Sequence, residues 1–294
     1  MQLSYFRWPL KYKHLPYYLQ LIRFNRPIGT LLLLYPCLMA LFIASEGTPS
    51  IKNFIIFSLG TLLMRSAGCA INDYADRHWD SKVTRTKERP LALNLITPAE
   101  AIWVALLLAI ISFILVLFTN WQTIALSFVA VGLAALYPFT KRFTHWPQIF
   151  LGIAFAWSIP MSFTAENHPF NSTTWLLLLS TLLWTLAYDT LYAMVDRPDD
   201  IKAGIKSTAI LFGRWDKLVV GILQVTVTVT LALIGLINQY TPPYFLGLLS
   251  IIALFSYQQF LINKREPQKC FRAFINNQWV GFSMLIGTIF THII

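Results

Sequence analysis

The chain has 294 residues, 56% hydrophobic, 15% aromatic and 12% charged, with a formal net charge of +10. A soluble domain carries about 25% charged residues, so this shortage of charge, with a mean hydropathy of +0.58, excludes a water-soluble globular protein. Long continuous apolar runs exclude a transmembrane β-barrel, whose strands alternate apolar and polar residues, and the placement of the basic residues argues against a nucleic-acid partner.

The expected fold class is all-α, a polytopic membrane protein with nine transmembrane helices in a single domain over 1–294. The first segment, MQLSYFRWPLKYKHLPYYLQLIRFNRP, is basic and aromatic and too polar for a signal sequence. It reads as an interfacial arm over 1–26, feeding a nine-helix bundle over 27–294. The spans fall at 27–45, 52–73, 99–118, 122–138, 147–165, 174–194, 216–237, 243–262 and 275–294. Cys37, Cys69 and Cys270 make no metal or disulfide pattern and read as small packing residues. His78, His145 and His168 lie in loops with no ligand spacing, and the Trp and Tyr residues read mostly as interfacial anchors.

Basic loops alternate with short, nearly uncharged ones. The arm and the even-numbered loops hold 21 of the 23 Lys and Arg residues; Lys52 lies on the other side and Arg65 inside the second span. The positive-inside rule then places the N-terminus in the cytoplasm and the C-terminus outside, which in a bacterial inner membrane would be the periplasmic side. The basic loops face anionic lipid and attract an anionic substrate.

Seven of the 13 acidic residues form two clusters at cytoplasmic span ends: Asp73, Asp76 and Asp80, then Asp189, Asp196, Asp199 and Asp200. They recur in two halves that read as a loose internal duplication. At ~100° per residue, Asn72, Asp73, Asp76 and Asp80 share one helical face, and Arg65 lines up with Asn72 about 10 Å deeper. Pro198 is expected to end or kink the sixth span, with Asp199 and Asp200 opening a short second helix that carries Lys202 and Lys206. Clustered carboxylates with an amide oxygen and no His or Cys form a hard-oxygen site suited to Mg²⁺. Mg²⁺ bridges one or two carboxylates to phosphate oxygens, so the pattern predicts a phosphorylated ligand held by two ions. The bland alternatives are an interfacial aspartate set that caps helices and pairs with loop arginines, Asp80 among it, then Arg65 paired with Asp73 or Asp76, and Lys141 and Arg142 as orientation signals alone. Tyr137 sits one turn before Lys141.

Asn72-Asp73-x-x-Asp76-x-x-x-Asp80, followed by Arg85-Thr86 and Arg89-Pro90-Leu91, resembles the first motif of the UbiA-type intramembrane prenyltransferases. Tyr188-Asp189-Thr190-x-Tyr192-Ala193-x-x-Asp196-x-x-Asp199-Asp200, then Gly204-Ile205-Lys206-Ser207-Thr208, resembles the second. YPFTKRFTHWPQ (137–148) and WSIPM (157–161) are similar to the bacterial branch that prenylates 4-hydroxybenzoate. One departure is RPLALNLIT, where the family has a Gly between the Leu and the Thr.

The resemblance implies a central cavity, Mg²⁺, a polyprenyl diphosphate donor, 4-hydroxybenzoate as acceptor and ubiquinone as the pathway, in a bacterial inner membrane. Combined with the residues, it casts Asn72, Asp73, Asp76, Asp80, Asp196, Asp199 and Asp200 as metal-site candidates, with Asp76 and Asp196 catalytic. Lys141, Lys206 and Arg65 are candidates for the diphosphate, and Arg65 or Arg142 for the acceptor carboxylate. Asp189 is the candidate base, and Tyr137 would shield an allylic cation by its ring face. Other acceptors (dihydroxynaphthoate, homogentisate, haem) would share the aspartate face. A divalent-cation or organic-anion transporter is the rival from another class, disfavoured because both clusters sit at one membrane face rather than at the midplane.

Overall fold

A computed structural model describes residues 10–293, so Arg7 of the arm lies outside the described residues. The described residues are all-helical, without a strand. The helices are α1 Leu15–Leu21, α2 Ile28–Ala44, α3 Ile51–Asp76, α4 Pro98–Val116, α5 Trp121–Thr140, α6 Pro147–Ala156, α7 Ser158–Ala165, α8 Ser172–Ala203, α9 Thr208–Phe212, α10 Asp216–Ile237, α11 Pro242–Leu261 and α12 Pro267–Thr291. The nine expected spans correspond to α2, α3, α4, α5, the α6–α7 pair, α8, α10, α11 and α12. Seven of these are long and apolar enough to cross a membrane, and α2 is a shorter apolar helix. The remaining one, α12, carries Arg272, Asn276, Asn277 and Gln278 in its first half.

Side-chain oxygens start many of these helices. Ser50, Asn120 and Asn171 accept from the backbone N–H three residues on, and Thr97 and Glu100 form a capping box. The expected span over 147–165 is broken at Trp157. Pro160 lacks the N–H that would bond the Ala156 carbonyl, so the ladder loses a rung there. The Trp157 indole donates to the Leu126 carbonyl at 3.0 Å and ties the break to α5.

The helices close a ring. Starting at α2, contacts run through α3, α5, α6, α8, α10, α11 and α12 back to α2, while α4 packs outside α3. Buried Leu32, Leu41, Phe163, Ile159, Tyr244 and Ile251 fill its packed side. The arm folds onto α3 and α4: Tyr18 Oη donates to Glu100 at 2.5 Å and His14 Nδ1 lies 2.6 Å from the same carboxylate. In RPLALNLIT, Asn94 takes φ +56°, a conformation Asn tolerates better than most residues.

Two helices overshoot the ~30 Å apolar core of a bilayer: α3, with 26 residues, spans about 39 Å and α8, with 32, about 48 Å. Their C-terminal ends carry the two aspartate clusters. Contrary to the sequence expectation, α8 does not end at Pro198: it continues to Ala203 and closes at Gly204, whose φ of +70° suits a residue without a Cβ. Lys206 therefore lies beyond the helix, not one turn after Lys202. In the first cluster α3 stops at Asp76, and Asp80 sits in a short 3-10 turn, off the helical face it was expected to share.

Candidate active site

The ends of α3, α5 and α8 and the loop after α3 enclose a polar cavity of about 1030 Å³, including its open mouth. Asn72, Asp73 and Asp76 reach it from α3, Asp189, Asp196 and Asp200 from α8, and Tyr137 and Lys141 from the end of α5. The loop after α3 contributes Asp80, Arg85 and Arg89, and the segment after α8 adds Lys206. Each acidic motif meets a cation from another part of the chain. Lys141 Nζ lies 2.8 Å from Asp76 and 3.4 Å from the Asn72 carbonyl oxygen. Arg85 holds Asp196 through Nε at 2.9 Å and Nη2 at 2.5 Å, and its guanidinium stacks 4.5 Å over Tyr192.

Asp73 is fully buried and doubly held. Arg23 Nη2 donates to both its oxygens, at 2.7 and 2.9 Å, and Arg89 Nη1 approaches at 2.9 Å. The same Arg89 nitrogen reaches Asp80 at 2.9 Å. Burial pushes the Asp80 carboxyl up to about 6, against the pull of Arg89 and with the help of Asp73 and Asp76.

A second cavity, of about 960 Å³, adjoins the first within the bundle. Carbon side chains line it, among them Leu33, Ile56, Phe57, Met64, Val116, Phe155 and Met161. Arg65, Tyr137 and Leu151 belong to both walls. Arg65 pairs with neither Asp73 nor Asp76. Among the described residues its buried Nε has no hydrogen-bond partner, and its guanidinium stands 5.8 Å from the Phe155 ring. Gly29 makes room for it: a Cβ there would lie 2.6 Å from Arg65 Nη2.

Two of the expected site residues fall outside the polar cavity. Asp199 turns to the loop, where its carboxylate accepts from the Thr84 N–H at 2.9 Å, because α8 continues as a helix and carries Asp199 off the Asp196–Asp200 face. Arg142 donates to the Ala75 carbonyl at 2.7 Å and stacks over Trp79 and Phe139, which keeps it out of the cavity wall. Asp73, counted as a metal-site candidate, has its oxygens engaged by two arginines. Sequence reasoning missed Arg23, Arg85 and Arg89 as site residues. Their charges read as orientation and substrate attraction, with pairing of aspartates to loop arginines as the bland alternative, and the resemblance segments include Arg85 and Arg89.

Residues 33–285 match the UbiA prenyltransferase family. The chain belongs to that family. It is 49% identical over 280 residues to a 4-hydroxybenzoate octaprenyltransferase of Coxiella burnetii, covering 95% of this chain and 98% of that one. To the 4-hydroxybenzoate octaprenyltransferase of Vibrio cholerae it is 53% identical over 272 residues, covering 92% and 96%. Among solved structures, a UbiA homolog from Aeropyrum pernix K1 superposes with a TM-score of 0.79 at 19% identity, over 90% of this chain and 98% of that one. A UbiA homolog from Archaeoglobus fulgidus bound to GPP and Mg²⁺ gives 0.72 at 19% identity, over 92% and 99%. Both support the fold of this UbiA prenyltransferase.

The donor set of this family member suits a hard divalent cation. The oxygen-bearing groups of Asn72, Asp76, Asp196 and Asp200 face one cavity. Among the described residues no three His, Cys, Asp or Glu side chains gather closely enough to enclose an ion by themselves. Mg²⁺ fits such a site, since it keeps waters and completes its shell with substrate phosphate.

Proposed function

We propose that this chain transfers a polyprenyl group from polyprenyl diphosphate to the ring carbon ortho to the hydroxyl of 4-hydroxybenzoate, releasing diphosphate, as a step of ubiquinone biosynthesis in a bacterial inner membrane. The cavity mouth, with the N-terminus, faces the cytoplasm. One observation carries the reading: a cavity lined by carboxylates and cations shares Arg65, Tyr137 and Leu151 as wall residues with a neighbouring apolar one. Such a joint site suits a ligand with a diphosphate head and a hydrocarbon tail. The relatives named 4-hydroxybenzoate octaprenyltransferase, 49% and 53% identical, support the acceptor.

Breaking the allylic C–O bond puts charge on the departing diphosphate. Lys141, Arg85, Arg89 and Lys206 stand at that end of the cavity to stabilise it. Two Mg²⁺ ions, when bound, would supply Lewis-acid neutralisation of the leaving group; Asn72 and Asp76 would hold one, and Asp196 and Asp200 the other. Asp73 and Asp80 hold arginines in place instead. The apolar cavity takes the prenyl chain and keeps water from the allylic cation. Tyr137, on the wall shared by both cavities, offers its ring face to that cation.

Arg65 is the group for the acceptor carboxylate, since its buried Nε, without a hydrogen-bond partner among the described residues, can donate to a ligand in a charge-assisted contact. Asp189, in the same wall, takes the phenol proton and raises electron density at the ortho carbon. That carbon bonds to the prenyl carbon, and loss of its hydrogen restores the aromatic ring. The test is purified protein in lipid nanodiscs with Mg²⁺, a polyprenyl diphosphate and 4-hydroxybenzoate. The expected result is a prenylated acid whose formation EDTA stops. Product only with dihydroxynaphthoate or homogentisate would overturn the acceptor, and ion flux without product in proteoliposomes would overturn the enzyme.

A further inference from the structure

Asp196 and Asp200 stand on one face of α8, and Pro198 lies between them. Proline lacks the N–H that would bond the Met194 carbonyl, and its ring crowds that carbonyl, so a helix usually kinks or ends there. Here the helix continues for another turn and a half, and a side-chain tether stands next to the weak point. Arg197 donates through Nη2 to Asp216, which is fully buried at the first turn of α10. Arg265, from the corner between α11 and α12, donates through Nε to the same carboxylate at 2.9 Å and through Nη2 to the Arg214 carbonyl at 2.8 Å. Three chain segments therefore meet on one carboxylate that lines neither cavity.

We propose that Asp216 is a positioning residue: through Arg197 it holds the end of α8 across Pro198 and so keeps Asp196 and Asp200 turned into the cavity. Arg197 follows Asp196 by one residue, about 100° around the helix, so fixing Arg197 fixes the rotation of the face beside it. Arg265 keeps Asp216 itself from turning. Lys206 N–H, donating to the Lys141 carbonyl at 3.3 Å, is a weaker second tie on the segment just beyond. The proposal rests on the reading of Asp196 and Asp200 as metal-site residues.

The test is a double-mutant cycle in the full-length protein. D216N is expected to lower prenyl transfer about 100-fold, the scale that misplacing a reacting group by about 1 Å produces. It is also expected to speed hydrogen exchange of the amides over 199–204. P198A restores the missing N–H and is expected to leave transfer unchanged alone. Combined with D216N it should recover about tenfold of the loss and re-protect those amides, since contacts that share one element couple non-additively. A purely structural salt bridge at Asp216 would not be rescued at Pro198. If D216N fails to accumulate in the membrane, R197Q cuts the same tether and carries the same cycle. No rescue by P198A, or unchanged exchange over 199–204, overturns the tether alone. Faster exchange with intact transfer overturns the proposal together with the metal-site reading beneath it.

Discussion

The two aspartate-bearing helix ends carry similar chemistry on different backbones. At the first, α3 stops at Asp76 and the chain continues as a loop, and two arginines close around Asp73 and Asp80. At the second, α8 runs through Pro198, and its Asp196–Asp200 face meets the cavity as continuous helix. The first end holds its shape by ion pairs to Arg23 and Arg89 within the mouth, the second by the Arg85–Asp196 pair there and by a tether behind the helix. Two halves that look alike in sequence are thus held by different partners, because the first end continues as a loop and the second as a helix whose ladder lacks a rung at Pro198.

Substitutions can break or sharpen this comparison. The largest expected effect is shared. Asp76→Ala and Asp196→Ala should each lower transfer by about 10³-fold or more, with normal membrane insertion, measured as turnover at saturating Mg²⁺. Near-normal turnover in either one would break the equivalence of the two ends. Next come the neighbouring aspartates, where the ends should differ. Asp73→Asn takes the carboxylate from Arg23 and leaves Arg89 with Asp80 alone, so transfer should fall about 100-fold, whereas Asp199→Asn, facing one loop amide, should cost less than about threefold. Equal losses would show that the first end is not held by its arginines. The smallest effect is in pH. Asp80 titrates near pH 6, above its ordinary value of 3.8, so it takes up a proton as pH falls through about 6 and gives Arg89 one carboxylate fewer. Transfer should fall about two- to threefold across that window, and Asp80→Asn should flatten the profile.

Much of the fold is legible from local rules. The spans expected to start at 52, 99 and 174 begin within two residues of those positions, where Ser50, Thr97 and Asn171 cap the helices. The break at Trp157 was not legible, since the missing bond lies at Pro160 and what accommodates it is a contact with Leu126 on α5. Pro198 misled in the other direction: local chemistry predicts an end, and a carboxylate on α10 sits against the residue beside it. The site was half legible. Aspartate spacing marked the helix faces, but Arg23, Arg85 and Arg89 sit in segments whose charges equally serve orientation.

What the sequence alone determined is the membrane character, the approximate spans, the two acidic ends and the class of ligand they would hold. Those follow from hydropathy and side-chain chemistry, which act residue by residue. Tertiary structure alone decided that the acidic ends face each other, that Arg65 stands in the wall shared by a polar and an apolar cavity, and that Asp199 and Arg142 turn away. These outcomes depend on which distant helices pack together, and pairing across 50 to 115 residues leaves no periodic trace in the chain.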